Sequence, residues 1–248
     1  MTGFIGGVVS SLVASVVGHL ALKRLRTRRL RNEFREAALL WRPFFDSETL
    51  AVLTARRGPL PRSTPKVSFR EVEAMRRLSE LFSTHGSAIG VTNSEEVQLE
   101  TLHSRNLILL GSQKENQATQ HVRGLLPMRI GYDVEGNLTF GDHTYPTIPS
   151  DGTQIMVDHA LVVRCPNPFG SGGKLLLIAG NHGAATAAAA NFLTSPSGIA
   201  KVGARLGGSD FVAVVKVKMV GSAAVTEELV KCWTFEDVVH HEGARDGQ

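Results

Sequence analysis

The stretch LLLIAGNHGAATAAAANFL, Leu175 to Leu193, restricts the fold more than any other part of the chain. Its five leading apolar residues read as a strand buried on both faces, as in a parallel sheet covered by helices. Gly180-Asn181-His182-Gly183 then breaks the pattern. The alanines that follow, with Thr186 among them, read as a helix able to lie close against that sheet. The order recurs upstream: NLILLG (106–111) is a continuous apolar strand, Ser112-Gln113-Lys114-Glu115-Asn116 a turn, and NQATQHVRGLL a helix.

Other segments fit the same alternation. Residues 50–54 read as a short buried strand ending at Arg56-Arg57, and the three prolines of 58–66 require a loop. Ser68 is placed as an N-cap with Glu71 as its capping-box partner. Val72, Met75, Leu78, Leu81 and Phe82 follow at helical spacing. Residues 87–93 predict a strand and 94–104 a helix. The turn signals of 128–152 predict a hairpin insertion. Residues 159–165 and 174–180 predict two strands joined by a turn-rich loop. Residues 211–220 form a long strand whose Lys216 and Lys218 suit a sheet edge. The expected fold is α/β: a Rossmann-like, mostly parallel sheet with helices on both faces and a β-hairpin insertion, over residues 45–235, followed by a flexible tail at 236–248.

Gly3 to Leu22 carries no charge unless His19 protonates, and twenty such residues are about enough to span a bilayer as a helix. Six basic residues (Lys23, Arg24, Arg26, Arg28, Arg29 and Arg31) follow the apolar stretch, and none precedes it. A cleaved signal peptide carries its charges on the other side. The expectation is one N-terminal transmembrane helix, a signal anchor at 1–22, then a basic juxtamembrane helix at 23–44 that stops before Pro43. The rest of the chain would be cytoplasmic at the cell membrane, with the lipid bilayer as a partner. Gly3, Gly7, Ser11 and Ser15 share one helical face, a pattern that suits a homo-oligomer.

The net charge of +4 comes from that run alone. Without its six cations, 27 − 6 = 21 basic residues face 23 acidic ones. The body therefore lacks the basic face that nucleic acid requires, and nucleic acid is not an expected partner. Two distant cysteines, Cys165 and Cys232, read as reduced thiols rather than a disulfide framework or a zinc cluster. His240-His241 has no spaced partners, so no metal site is expected.

In open α/β sheets ligands bind outside the carboxyl ends of the strands. The glycine-led junctions after 110 and 179 occupy that position, and the helix starts behind them favour an anion. The expected ligand-binding residues are Gly111, Ser112 and Asn116 at the first junction and Gly180, Asn181, His182, Gly183 and Thr186 at the second. Arg56, at the end of the first strand, joins them. Gly180 and Gly183 are expected to permit the turn, and Thr186 to aim its hydroxyl at a bound group. A bland alternative stands beside this: Asn181 as a mere N-cap and His182 as a solvent-facing loop residue. Neither G-x-G-x-x-G nor G-x-x-x-x-G-K-[ST] occurs. For catalysis the available groups are Glu115, Asp158 and His182. Asp158 would sit at the far rim in a parallel strand and at the same rim in an antiparallel one.

RNLILLGSQKEN, DHALVVRCPNPF and LLLIAGNHGAATAAAANFL occur in an order that resembles a group of Rossmann-like domains similar to the C-terminal domain of archaeal surface-layer proteins and their bacterial membrane-anchored relatives. The resemblance covers about residues 46–220. Gly111 and Asn116 match a strand followed by Gly-Gly-Pro-x-x-Asn; Ala179, Gly180 and Thr186 match a strand followed by Ala-Gly with an early helical Thr. Ser112 and Gln113 depart from the Gly-Pro of that motif.

The expected function is a membrane-anchored sensor or effector that binds a nucleotide-like or other anionic small ligand and signals through oligomerisation. The alternatives are a hydrolase or transferase acting on nucleotides or nucleosides, and a non-catalytic structural interaction module. No cofactor is identified.

Overall fold

The computed structural model describes residues 35, 37–55, 66–103, 105–149, 155–170, 172–221 and 223–243. The anchor expected at 1–22, the basic residues after it, and Arg56 lie outside these. Among the described residues no helix is long and apolar enough to cross a membrane. The chain runs through α1 (37–45), β1 (Thr49–Leu53), α2 (Phe69–Thr84), β2 (Ile89–Asn93), α3 (Leu99–His103), β3 (Asn106–Leu110) and α4 (Gln117–Leu125). Three short strands follow, β4 (Ile130–Tyr132), β5 (Leu138–Phe140) and β6 (His143–Tyr145). Then come β7 (Ile155–Pro166), β8 (Lys174–Gly180), α5 (Gly183–Thr194), α6 (Pro196–Leu206), β9 (Phe211–Val220), β10 (Ala223–Thr234) and α7 (Phe235–Gly243).

The main sheet has the order β10-β9-β7-β8-β3-β1-β2. β2, β1, β3 and β8 pair in parallel. β7 is antiparallel to both β8 and β9, and β10 to β9. Five of the seven strands therefore point one way, but the parallel ladders are confined to one half of the sheet. The period-two alternation of each central strand sends Ala51, Leu53, Ile108, Leu110, Leu176 and Ile178 to one face, beneath α1, α2, α5 and α6. Leu50, Val52, Leu107, Leu109, Leu175 and Leu177 go to the other, beneath α3, α4, α7 and the β4–β6 sheet. A strand with both faces covered needs no polar side, hence the unbroken apolar runs.

Several expectations need correction. Of the helix expected at 23–44, residues 37–44 pack into the core: Trp41 and Phe44 are fully buried, and Trp41 Nε1 donates to Leu193 O at 3.0 Å. The helix also runs through Pro43. Proline has no N–H and frees the carbonyl of Leu39, and the guanidinium of Arg164, buried on β7, covers the gap. Its Nη1 lies 3.5 Å from Leu39 O and 2.5 Å from Leu40 O, while Nη2 donates to Gly208 O and Ser209 O. Asp210 lies 3.3 Å from its Nε.

The helix expected over 94–104 is reduced to α3. Asn93 Oδ1 takes the amides of Glu95 and Glu96, and Ser94 Oγ takes the amide of Ala55, so the side chains hold a turn where a helix would begin. β9 is not an edge. Lys216 and Lys218 mark where helix cover over that face ends, and β10 is the strand outside it. Residues 236–243, expected as tail, belong to α7, which buries Val238.

Candidate functional site

β1 leads to α2 on one face of the sheet, and β3 leads to α4 on the other. Their exits diverge, so the carboxyl ends of β1 and β3 form a topological switch point. A crevice of about 510 Å³ opens there. Thr54, Gly111, Ser112 and Gly180 line its floor, and the N-termini of α2, α4 and α5 converge on it. Lys66, Arg70 and Lys114 line its walls together with Glu71 and Glu115.

The expected ligand residues divide into supports and exposed groups. Asn116 is a support. It is fully buried; its Oδ1 accepts from Ala118 N and Thr119 N, and its Nδ2 donates to Val52 O (3.1 Å) and Leu110 O (2.8 Å). Two acceptances and two donations use the whole capacity of an amide side chain. None remains for a ligand.

Thr186 is also a support: its Oγ1 accepts the amide of Gly180 at 3.0 Å and is turned back to the strand end. Gly180 is required by packing. A Cβ there would stand 2.6 Å from His182 O and 2.7 Å from Thr186 N. Gly111 has φ +98, and a Cβ would meet Thr54 and Glu71 side chains at 2.5 and 2.7 Å. Gly183, expected to permit the turn, does not need to be glycine, since its nearest neighbour, Arg70 Cβ, is at 3.4 Å. Ser112 O receives the amides of Glu115 and Asn116, which closes the turn before α4.

α2 is capped by Ser68 and α4 by Asn116, whereas α5 begins at His182 with no side-chain cap. Ala185 N and Thr186 N return to His182 O. The first-turn amides of α5 thus face the crevice without a side-chain acceptor, which favours an anion there.

Because β7 runs antiparallel to β8, Asp158 arrives at the same rim as His182. Its carboxylate is fully buried. Oδ1 accepts from His159 N (2.8 Å) and Thr147 Oγ1 (3.2 Å), and Oδ2 faces His182 Nδ1 at 3.1 Å. A carboxylate only accepts, so Nδ1 carries the proton and Nε2 of the neutral ring is left as an acceptor. The His182 side chain is 57% exposed. Asn181 donates to Tyr145 O and Thr147 Oγ1, and its Oδ1 is buried with no protein donor. Glu115 lines the crevice at the turn into α4, away from this pair in sequence.

Sequence reasoning missed several contributors. Tyr132, from the insertion, donates to Gly180 O at 3.1 Å, and Lys114 Nζ sits 4.2 Å over its ring. Burial, aided by the charge of Asp158 and opposed by a hydrogen bond with Ser112, pushes the Tyr132 phenol up to about 12. Glu71, expected as the capping-box partner of Ser68, turns its Oε2 to the amide of Thr54 at 2.6 Å and ties the start of α2 to the end of β1, while Ser68 Oγ accepts from Arg70 N. Arg70 carried a readable signal. A cation in the first turn of a helix opposes the dipole, and here it pairs with Glu73 one turn on, Nη1 to Oε2 at 3.0 Å, while lining the crevice. Tyr132 and Thr147 had no such signal, because only the tertiary fold brings the insertion to the rim.

No protein-family model, curated protein or solved structure matches the chain. The resemblance to the surface-layer-like Rossmann group therefore rests on the motifs themselves, of which the Asn116 and Thr186 positions are structural supports.

Proposed function

We propose that the α/β domain binds an anionic, nucleotide-like small molecule in the switch-point crevice. One observation carries the reading: the uncapped N-terminus of α5 opens on a crevice walled by Lys66, Arg70 and Lys114. Three cations line the crevice with two carboxylates, and Arg70 also pairs with Glu73. Each helix start adds roughly half a positive charge. A phosphate group suits the helix starts, and the volume of about 510 Å³ leaves room for a nucleoside-sized body beside it.

In the same proposal, residues 1–22 tether the domain to a lipid bilayer, and their Gly/Ser face carries ligand occupancy into self-association. The chain is then a membrane-anchored sensor or effector. The support for this part is the composition of that segment.

The test is a titration of purified full-length protein with inorganic phosphate and adenosine 5′-monophosphate. It is paired with mass spectrometry of small molecules released on denaturation. Lys114→Glu reverses one wall charge at an exposed side chain and is expected to weaken binding at least about tenfold, the equivalent of 1.4 kcal/mol. A protein that releases nothing and binds neither probe, or a Lys114→Glu variant with unchanged affinity, overturns the reading.

A further inference from the structure

We infer that the Asp158–His182 pair makes the crevice a hydrolytic site for phosphate esters, with His182 Nε2 as the general base. The inference rests on the anionic-ligand reading and adds a reaction to it.

Three features of the pair support this. First, a fully buried carboxylate is costly unless its oxygens are satisfied. Here His159 N and Thr147 Oγ1 satisfy one oxygen, and the second is given to a histidine ring. Second, that ring is more than half exposed and lines the crevice, and among the described residues Nε2 has no protein partner. A buried carboxylate holding one nitrogen of an exposed imidazole fixes both its tautomer and its orientation. Third, His182 is also the residue from which α5 starts, so the base and the uncapped amides of Gly183 and Ala184 are adjacent in the chain. An ester phosphate held by those amides stands beside the imidazole.

The step is a hydrolysis. A water gives one proton to His182 Nε2 as its oxygen forms a bond to phosphorus. The phosphorus–oxygen bond to the alcohol breaks, and its electron pair stays on the departing oxygen. The departing oxygen lies across the phosphorus from the attacking water and takes a proton from solvent, the imidazolium releases its proton to solvent, and ester and water become phosphate and alcohol. The amides at the α5 start and the wall cations oppose the charge that builds on the non-bridging oxygens. Asp158 is a positioning residue. It touches no substrate, but it holds the proton on Nδ1 and fixes the orientation of the ring.

The experiment uses full-length protein with p-nitrophenyl phosphate and bis(p-nitrophenyl) phosphate as substrates, and measures inorganic phosphate binding in parallel. Hydrolysis of at least one ester is expected. His182→Gln is expected to lower kcat by about 10²–10⁴-fold, the usual worth of a positioned base, with phosphate binding still measurable. Asp158→Asn is expected to lower kcat and to shift the ¹⁵N resonances of His182 away from the Nδ1–H tautomer. A purely structural carboxylate leaves those resonances in place. Protein that binds phosphate but hydrolyses neither ester, or a His182→Gln variant as active as the parent, overturns the hydrolytic inference and leaves the binding reading standing. Protein that releases no small molecule and binds neither phosphate nor adenosine 5′-monophosphate removes both.

Discussion

Asn116 invites a substitution whose outcome separates two accounts of the residue. If it were only an N-cap, Asn116→Asp would be neutral or stabilising, because aspartate caps as well as asparagine and favours the helix dipole. The structure predicts the opposite. The Nδ2 group donates to Val52 O and Leu110 O, and a carboxylate would face those two carbonyls with no proton to give. Truncation by Asn116→Ala loses the cap, about 1 kcal/mol. It also leaves the buried Leu110 carbonyl short of a donor, about 1–3 kcal/mol, with only a long contact from Thr54 Oγ1 at 3.4 Å. Val52 O keeps its place in the β1–β3 ladder. The total is about 2–4 kcal/mol. For a domain of this size, 1 kcal/mol is worth roughly 2–4 °C in Tm, so the expected drop is roughly 4–16 °C.

For Asn116→Asp, burial and the facing carbonyls raise the folded-state pKa of the introduced carboxyl above its unfolded value near 3.9. The variant's deficit is therefore smallest in acid, where the protonated carboxyl can donate one hydrogen bond. It grows as pH rises through the folded value. Thermal unfolding of both variants at pH 4 and pH 7, followed by circular dichroism, is the assay. An Asn116→Asp protein as stable as the parent at pH 7 would refute the reasoning and return Asn116 to the role of a simple cap.

Other predictions are narrower. Arg164→Met removes the guanidinium shared by Leu40, Gly208 and Ser209 carbonyls and leaves Asp210 short of a partner; a loss of about 3–5 kcal/mol is expected in denaturant unfolding. Gly180→Ala should destabilise the domain, because its Cβ meets backbone at 2.6 Å, while Gly183→Ala should be neutral or stabilising by up to about 1 kcal/mol; melting temperatures that fail to separate the two would contradict the packing described at the β8–α5 turn. Burial raises the thiols of Cys165 and Cys232 to about 12 and about 11, so both should resist iodoacetamide at pH 7.5 until the chain unfolds. Rapid labelling of native Cys165 would show that the centre of β7 opens.

The parallel half of the sheet was legible because each strand is a run of apolar residues ended by glycine or a polar turn. The crevice was legible because two of those turns lead straight into helices. What was lost depended on pairing. β10 shows only one neighbour's worth of burial, and AAVTEELVKCWT reads as polar chain until β9 is beside it. The lysines of β9 looked like edge protection, whereas their cause is the limit of helix cover. Asn116 and Thr186 were legible as junction residues but not as supports of the turns, since spacing shows that a polar residue sits at a junction but not which way it turns. Asp158 was visible as a candidate, but its partnership with His182 depended on the direction of β7.

The β4–β6 insertion, which covers one face of the main sheet, joins anchorage to reach. Ile130, Leu138 and Phe140 fix it to the sheet through the second core, and Phe140 packs its ring 5.2 Å from that of Trp233. Tyr132, Tyr145 and Thr147 touch the rim of the crevice. The two tyrosines also pack into the second core, and Thr147 Oγ1 donates to Asp158. The insertion is therefore built into the site: a change at a rim residue alters what the crevice accepts and is felt at the same time by the core beneath it or by the carboxylate that holds His182.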